Sequence, residues 1–541
     1  MDRQGRILII DNLEQWCNAL VEISQSGSYL ADSASTISEA LKMLNENFYH
    51  LLVADIRMEE TDGSNIDGMD LLRELNKRGL DEATKVIMLS AYGTEDQMRT
   101  AFRDFKVVDF ISKDKFTKPV FLESVQRAFA EEVDINLDLE ILSQSRSRLE
   151  QIVLALVVEG NSIKRDTPLF AQISSELDDL LCRLFHEAKG VLVRPLIPGN
   201  SGVGVLRMQP FFDNKGIGRE LIVKFGQVHQ IEKEYKNFKE FVEPFLGSGR
   251  NTTIINMRRT THLAGILYSL LGASSDELVD FGTFYRQSDL SQIEKALDKL
   301  FLNTCGAWYA NHDFPYPLNL TLDYQHLFGY SQKELEQIVS RKLKSVRKNR
   351  KLTFLSLSNE RSFTNPLPAI SPSVNLTLPT YSSTTHGDCN PYNLLVDKTG
   401  HVWLIDFQDT GKGHILRDVA ILDSVVRFQL LTAQGVPLEE RLLMEESLCS
   451  IEHFSQVEDL VNRFSPSKPE LAKAYGTVVH LRGLASKLVE RNPNDDMSEY
   501  YIALLYSALN TLRFSSLQQI QLEHALLSAS LLVDKLGLDN R

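Results

Sequence analysis

Arg6-Ile7-Leu8-Ile9-Ile10-Asp11 and Leu51-Leu52-Val53-Ala54-Asp55-Ile56 are two short apolar runs, each carrying an acid at its end. Both are the length of a strand buried on two faces. Between them, Leu13–Ile23 and Thr36–Asn45 have helical spacing, with a weaker strand at Tyr29–Ala31. Beyond them, Met69–Lys77, Thr94–Phe105 and Phe116–Glu131 read as helices, and Lys85–Ser90 (KVIMLS) and Val107–Ile111 as strands. Five strand–helix units predict an α/β domain over residues 1–131, a parallel sheet with helices on both faces. Function in such sheets sits at the carboxyl ends of the strands.

The 541 residues exceed one ordinary domain, and 43% hydrophobic content excludes disorder for most of the chain. Lys and Arg number 58 against 72 Asp and Glu, so the net charge of −14 argues against general nucleic-acid binding. Cys17, Cys182, Cys305, Cys389 and Cys449 are widely spaced, which points to reduced thiols rather than disulfides or a cysteine zinc site. No signal peptide or membrane-spanning run is legible, so a cytoplasmic protein is expected.

Residues 132–190 are expected to be a helical connector, since Ile135, Leu142, Leu149 and Leu156 are seven apart, with a coiled-coil seam or a helix packed on a neighbouring domain as the two readings. From 191 to 283 the pattern suits an antiparallel sheet with one inserted helix at Gln230–Val242. Residues 284–541 read as almost wholly helical apart from a loop–strand–turn–strand unit near 380–410. Ser356–Thr384 is expected to be a long surface loop, and Tyr500–Leu512 and Ile520–Leu536 amphipathic helices. The basic run Arg341–Lys351 is either a solvated helix face or a docking patch for an anionic partner.

Asp11, Asp55 and Ser90 close three of the N-terminal strands, and Lys113 follows the last one. Converging carboxylates call for a cation, and oxygen ligands suit Mg²⁺. This order resembles a response-regulator receiver domain with a flavodoxin-like (βα)5 fold. The resemblance implies Asp55 as phosphoacceptor, Asp11 with Asp55 as metal ligands, Ser90 as the switch hydroxyl, Lys113 as pairing cation and Phe110 as the aromatic switch. Asn12 stands where the family has a second acid, Asp114 where it has proline, and Glu59–Ile66 looks inserted.

The second constellation is His386-Gly387-Asp388-Cys389-Asn390-Pro391-Tyr392-Asn393, followed by Val402-Trp403-Leu404-Ile405-Asp406-Phe407. Phosphoryl transfer needs one carboxylate for the acceptor hydroxyl, and an oxygen ligand with a second carboxylate for Mg²⁺. The pattern resembles the aminoglycoside/choline phosphotransferases, which have a bilobal, α+β, protein-kinase-like fold. The resemblance implies ATP and Mg²⁺ as cofactors, Asp388 as catalytic base, Asn393 and Asp406 as metal ligands and His386 as a structural brace. Asp418, in Arg417-Asp418-Val419-Ala420, would anchor the loop. Gly199 and Gly202 lie in the glycine-rich turn where a phosphate-covering loop belongs, and Lys224 in LIVKF matches the phosphate-binding lysine. Glu234 is the preferred ion-pair partner, with Glu232 and Glu240 as alternatives. Asp280-Phe281-Gly282 spells a kinase metal motif but precedes the catalytic loop and is read as a hinge segment. Trp308, Tyr309 and His312 are weak candidates for an acceptor pocket, since aromatics at this spacing are more often core.

These readings lead to a receiver regulating an ATP-dependent phosphotransferase whose hydroxyl acceptor the sequence does not name. The alternative is a non-catalytic nucleotide-binding adaptor with a receiver input. Expected partners are a histidine kinase or other phosphodonor, the phosphate acceptor and a second copy of the chain. Membrane and nucleic acid are not expected.

Overall fold

The computed structural model describes residues 3–58, 67–91, 95–143, 146–158, 161–195, 202–213, 216–245, 252–270, 278–348, 351–358, 361–371, 373–490 and 495–538. Gly199 and the Glu59–Ile66 segment lie outside them. The chain divides into two compact units, Met1–Tyr235 with Thr253–Ser269, and Lys236–Thr252 with Leu270–Arg541.

The first unit begins with β1 (Arg6–Ile10), α1 (Glu14–Ser26), β2 (Leu30–Ala34), α2 (Ile37–Glu46), β3 (Leu51–Ala54), α3 (Asp67–Lys77), β4 (Lys85–Ser90), α4 (Glu95–Phe105), β5 (Asp109–Ser112) and α5 (Lys118–Arg127). The strands form one five-stranded parallel sheet in the order β2-β1-β3-β4-β5. Strand alternation sends Leu8, Ile10, Leu52, Ala54, Val86 and Met88 into one core, beneath α2 and α3. Ile7, Ile9, Leu51, Val53, Ile87 and Leu89 fill the other, against Phe121 and Val125 of α5. That two-sided burial is why the runs are continuously apolar. The flavodoxin-like order expected for residues 1–131 is therefore present.

Next come β6 (Glu140–Ser143), α6 (Arg146–Ala155), β7 (Val157–Val158), β8 (Asn161–Ser162), α7 (Pro168–Leu184), β9 (Gly190–Pro195), β10 (Gly204–Phe212), β11 (Gly216–Ile217), β12 (Leu221–Gln227), α8 (Val228–Asn237), β13 (Thr252–Arg259) and β14 (Leu263–Leu270). The second sheet runs β13-β14-β12-β10-β9-β6, with β11 on β10. Here the coiled-coil reading of the connector fails, while its helices pack on the neighbouring sheet. β6 lies inside residues 132–190 and pairs parallel to β9, and Leu142 sits on it half exposed. An extended stretch rises about 3.3 Å per residue against about 1.5 Å in a helix, so the seven-residue spacing forms no seam. α6 and α7 instead cover the sheet, with Leu177, Leu180, Leu181 and Leu184 packed on Val191, Val193, Leu206, Val223 and Phe225. The connector and this sheet are one body.

The second unit mixes small sheets with helices, which corrects the expectation of a nearly all-helical segment after residue 284. Val279–Asp280, Leu394–Val396 and Val402–Leu404 form a three-stranded sheet, so residues 278–283 belong to this unit rather than to the preceding lobe. Ser382–Thr385 pairs with Gly411–His414, and Tyr316–Asn319 with Thr377–Thr380. Ser356–Thr384 is therefore not one surface loop. Its polar composition hid strands because Thr suits a pleated sheet, and Ser382–Thr385 is buried throughout. The last two helices, Ser498–Thr511 and Gln519–Lys535, are buried on nearly every face rather than amphipathic. Around them Asp423, Arg427, Glu445, Arg482 and His524 form a buried ionic network. The basic run is not one helix face. Its helix, Gln332–Lys342, ends at Lys342, whose ammonium caps the carbonyls of Leu512, Arg513 and Phe514. The next part is a hairpin, Val346–Lys348 against Lys351–Phe354.

Candidate functional site

In the receiver-like sheet, β1, β3 and β4 deliver Asp11, Asp55 and Ser90 to one edge, all buried. Lys113, just past β5, closes the set. Its Nζ donates to Asp11 Oδ2 at 2.6 Å and to Asp55 Oδ2 at 2.7 Å. Asp11 Oδ1 accepts from the Leu13 N–H and Asp55 Oδ1 from the Arg57 N–H, so the backbone aims both carboxylates. Burial raises the Asp11 carboxyl, and the Asp55 charge adds to that, against the pull of Lys113 and the Leu13 N–H. Trp16 lies 5.1 Å from Lys113 Nζ, ring face toward the ammonium, a contact that sequence reading missed. Asn12 follows Asp11 half-buried, and Phe110 packs half-buried on the α2–α3 side of the sheet. Two carboxylates that meet at the Lys113 ammonium form a donor set that Mg²⁺ fits.

The second unit assembles the loop after Ser382–Thr385. Gly387 has φ +84°, and a Cβ there would stand 2.3 Å from the Asp409 carbonyl, so the chain passes only as glycine. Asp418 is fully buried and accepts from the His386 N–H (2.8 Å), the Gly387 N–H (2.9 Å) and the Tyr309 hydroxyl (2.8 Å). It therefore anchors the loop. His386 Nδ1 accepts the Asp388 N–H, which leaves Nε2 to donate to the Ile405 carbonyl at 3.2 Å, and so ties the loop to the strand leading to Asp406. Burial lowers its pKa against the nearby Asp418 and Asp406 charges.

Asp388 is half-buried, and its Oδ2 accepts from Asn390 Nδ2 (2.8 Å) and Asn393 Nδ2 (2.9 Å). Burial pushes its carboxyl up to about 7, helped by the charges of Asp406 and Asp409 and opposed by the two amides. With its amide nitrogen spent on Asp388, Asn393 keeps an oxygen to offer a cation. Asp406 sits at φ +71°, a left-handed backbone that non-glycine residues rarely adopt and that clusters at functional sites. Among the described residues no group of three His, Cys, Asp or Glu side chains forms a ready metal cage. A cation at Asn393 and Asp406 would take its other oxygens from phosphate and water. Asp409 went unnoticed in the sequence; its spacing of three from Asp406 was the available signal.

Lys224, central on β12, is buried with Nζ 2.7 Å from Glu234 Oε2 of α8, and the Tyr268 hydroxyl donates to Glu234 Oε1. The partner is Glu234 rather than Glu232, which pairs with Arg259, or the exposed Glu240. Tyr268 was also missed. Gly202 takes φ +73° ahead of β10. Asp280 caps the helix Phe281–Gln287 through the Thr283 N–H, away from any metal role. Trp308 and Tyr309 are buried core rather than an acceptor pocket, and His312 packs against Tyr381 with the two rings tilted by 50°. All five cysteines are free thiols. No helix among the described residues is long and apolar enough to cross a membrane.

Residues 7–126 match the response regulator receiver domain, and the N-terminal domain is a receiver of two-component signalling. A receiver implies a phosphodonor such as a histidine kinase. Residues 188–343 and 330–513 match the family described as ternary complex associated domain 9, together more than half of the chain, and the chain belongs to that family. Among solved structures, the chain is similar to a CheY-like receiver domain protein from Methanospirillum hungatei JF-1 (23% identity, 24% of this chain and 95% of that one, TM-score 0.21). It is also similar to the response regulator TrrA from Thermotoga maritima, in complex with Mg²⁺-BeF (27%, 23% and 98%, 0.19), and to a receiver domain protein from Clostridium thermocellum (22%, 24% and 96%, 0.21).

Proposed function

We propose that this protein is a receiver-controlled, ATP- and Mg²⁺-dependent phosphotransferase with a protein-kinase-like fold, acting on a hydroxyl acceptor. The observation that carries the reading is Asp388. It is a partly exposed carboxylate raised to about 7 by burial and by Asp406 and Asp409, and steadied by Asn390 and Asn393. A carboxylate so placed can take the acceptor hydroxyl's proton as its oxygen bonds to the γ-phosphorus. The bond to the bridging oxygen then breaks, and ADP leaves with the electron pair. Asn393 and Asp406 would hold Mg²⁺, which neutralises phosphate charge when bound. In the first unit, Lys224, held by Glu234, would be the phosphate-binding lysine; Gly199 lies outside the described residues. At the receiver, Asp55 would take a phosphoryl group from the donor, with Ser90 and Lys113 binding the new oxygens and Asp11 supporting the metal.

The test is ADP release from Mg²⁺-ATP by the full chain and by Asp388→Ala. Release that stops in the variant supports phosphoryl transfer, and equal release in both refutes it. A second reading, a nucleotide-binding adaptor without turnover, draws on the family's description as a domain associated with ternary complexes. Mg²⁺-dependent ATP binding with no ADP release in either protein would select it.

A further inference from the structure

Within the first unit, the receiver meets the second sheet at the end of its strands away from Asp55. His50, buried, enters β3 five residues before Asp55, about 16 Å along the strand. Its Nδ1 accepts the Arg6 N–H at 2.9 Å, so Nε2 is the donor to Asp179 Oδ1 of α7, at 2.5 Å. Asp179 also receives Arg183 Nε at 2.8 Å, and Arg183 Nη2 donates to the Ala83 carbonyl, two residues before β4. All three side chains are at most 5% exposed. Burial works to raise the Asp179 carboxyl, but Arg183 and His50 together hold it well below the usual range. This is a fixed joint: a buried charge whose partners are all made.

One turn earlier on α7, the fully buried Glu176 accepts from the Thr260 hydroxyl (2.7 Å), the His262 N–H (2.9 Å) and the His262 ring (2.7 Å), at the β13–β14 turn. The residue before Thr260 is Arg259. Its Nη1 lies where a Cβ on Gly79 would meet it at 2.8 Å, against the turn that follows α3 of the receiver. The same Nη1 donates to Glu232 Oε1 of α8 at 2.7 Å. Glu232 and Glu234 are two residues apart, about 200° around a helix. α8 is therefore gripped on one side by Arg259 and on the other by Lys224 and Tyr268. The Glu232 side chain is 41% exposed, so this contact, unlike the His50 joint, has room to adjust.

We propose that this base is the face through which the receiver controls α8, with Arg259 as the positioning residue. A shift of the turn at Gly79 relative to the His50–Asp179–Arg183 joint moves Arg259. Arg259 then moves the Glu232 side of α8 and changes how Glu234 meets Lys224. The proposal rests on the reading of Lys224 and Glu234 as a functional pair.

The test is hydrogen exchange on the full chain with and without Mg²⁺ and beryllofluoride, an acyl-phosphate mimic for Asp55. In the wild type, receiver amides within residues 85–113 should gain protection, and α8 exchange should change by about fivefold or more. In Arg259→Gln, and separately in Glu232→Gln, the receiver should respond while α8 does not. An α8 response that persists in both variants overturns the proposal. So does a wild type in which α8, or the receiver itself, does not respond. ADP release from the same samples separates the two readings. An α8 response lost in the variants, without turnover, supports the coupling and refutes the chemistry; turnover without an α8 response does the reverse.

Discussion

Replacing Lys113 by Met removes the ammonium paired with Asp11 and Asp55 while keeping most of the side chain's volume. In the wild type, Nζ is 2.6 and 2.7 Å from the two carboxylates, and all three side chains are at most 9% exposed. Breaking a buried ion pair in this way costs about 3–5 kcal/mol. The upper end has a natural limit, because one carboxylate can escape by taking a proton. From the ordinary aspartate value of 3.8, that costs about 4 kcal/mol at pH 7, at about 1.4 kcal/mol per pH unit. The expected loss is therefore about 3–4 kcal/mol, confined to the receiver. Mg²⁺ should return much of it, since a ligand at a hundred times its dissociation constant stabilises by about 2.7 kcal/mol. In the wild type Mg²⁺ competes with Lys113 for the same oxygens, so its gain there should be smaller. Hydrogen exchange of the β1 and β3 amides in the full chain, with and without Mg²⁺, reads both effects. Equal protection in variant and wild type, or the same Mg²⁺ gain in both, would refute the assignment of Lys113 as the internal counter-ion of this pocket.

Four other outcomes follow from the same kind of accounting. Asp418→Ala leaves the His386 and Gly387 N–H groups and the Tyr309 hydroxyl unpaired, so it should cost about 3 kcal/mol or more and free the loop; faster exchange at residues 386–387 would show it. Gly387→Ala forces a Cβ against the Asp409 carbonyl at positive φ and should abolish ADP release while nucleotide binding survives, which calorimetry can check. In the second unit, burial pushes His524 down to about 4 against the pull of Glu445, while Arg427 and His524 overcome burial to hold Glu445 at about 2. Both values are depressed, so stability present near neutral pH falls as pH drops through 6.5 toward 4, by about 3 kcal/mol from His524, and further below 4.5 from Glu445; denaturation across pH 4–7 should show that slope, flattened in His524→Gln. Lys224→Met takes the ammonium away from the buried Glu234 carboxylate and should destabilise the first unit by about 3 kcal/mol, measurable as faster exchange in β12 and α8.

The receiver was legible because its strands are buried on both faces and its functional groups sit at strand ends, so periodicity and spacing point to the same residues. The HGD loop was legible for a different reason. Gly387 admits no side chain, Asp418 answers two backbone donors, and Asn393 reaches back to Asp388, so local chemistry fixes the spacing. What stayed hidden depends on partners distant in sequence. β6 declares itself a strand only through β9, and Leu142 on it is half exposed, so a seven-residue spacing could mimic a helix. Ser382–Thr385 looks like a loop until Gly411–His414 pairs with it. Glu234 could be preferred as the partner of Lys224 because Phe238 and Phe241 follow it at core spacing, but nothing local shows that Glu232 meets Arg259. His50 and Asp179 are 129 positions apart, and nothing local to either announces the other. The motifs thus record arrangements that a few neighbouring residues can hold in place alone. The joint at His50, like the Arg259 grip on α8, is made where two sheets meet, and no local motif records it.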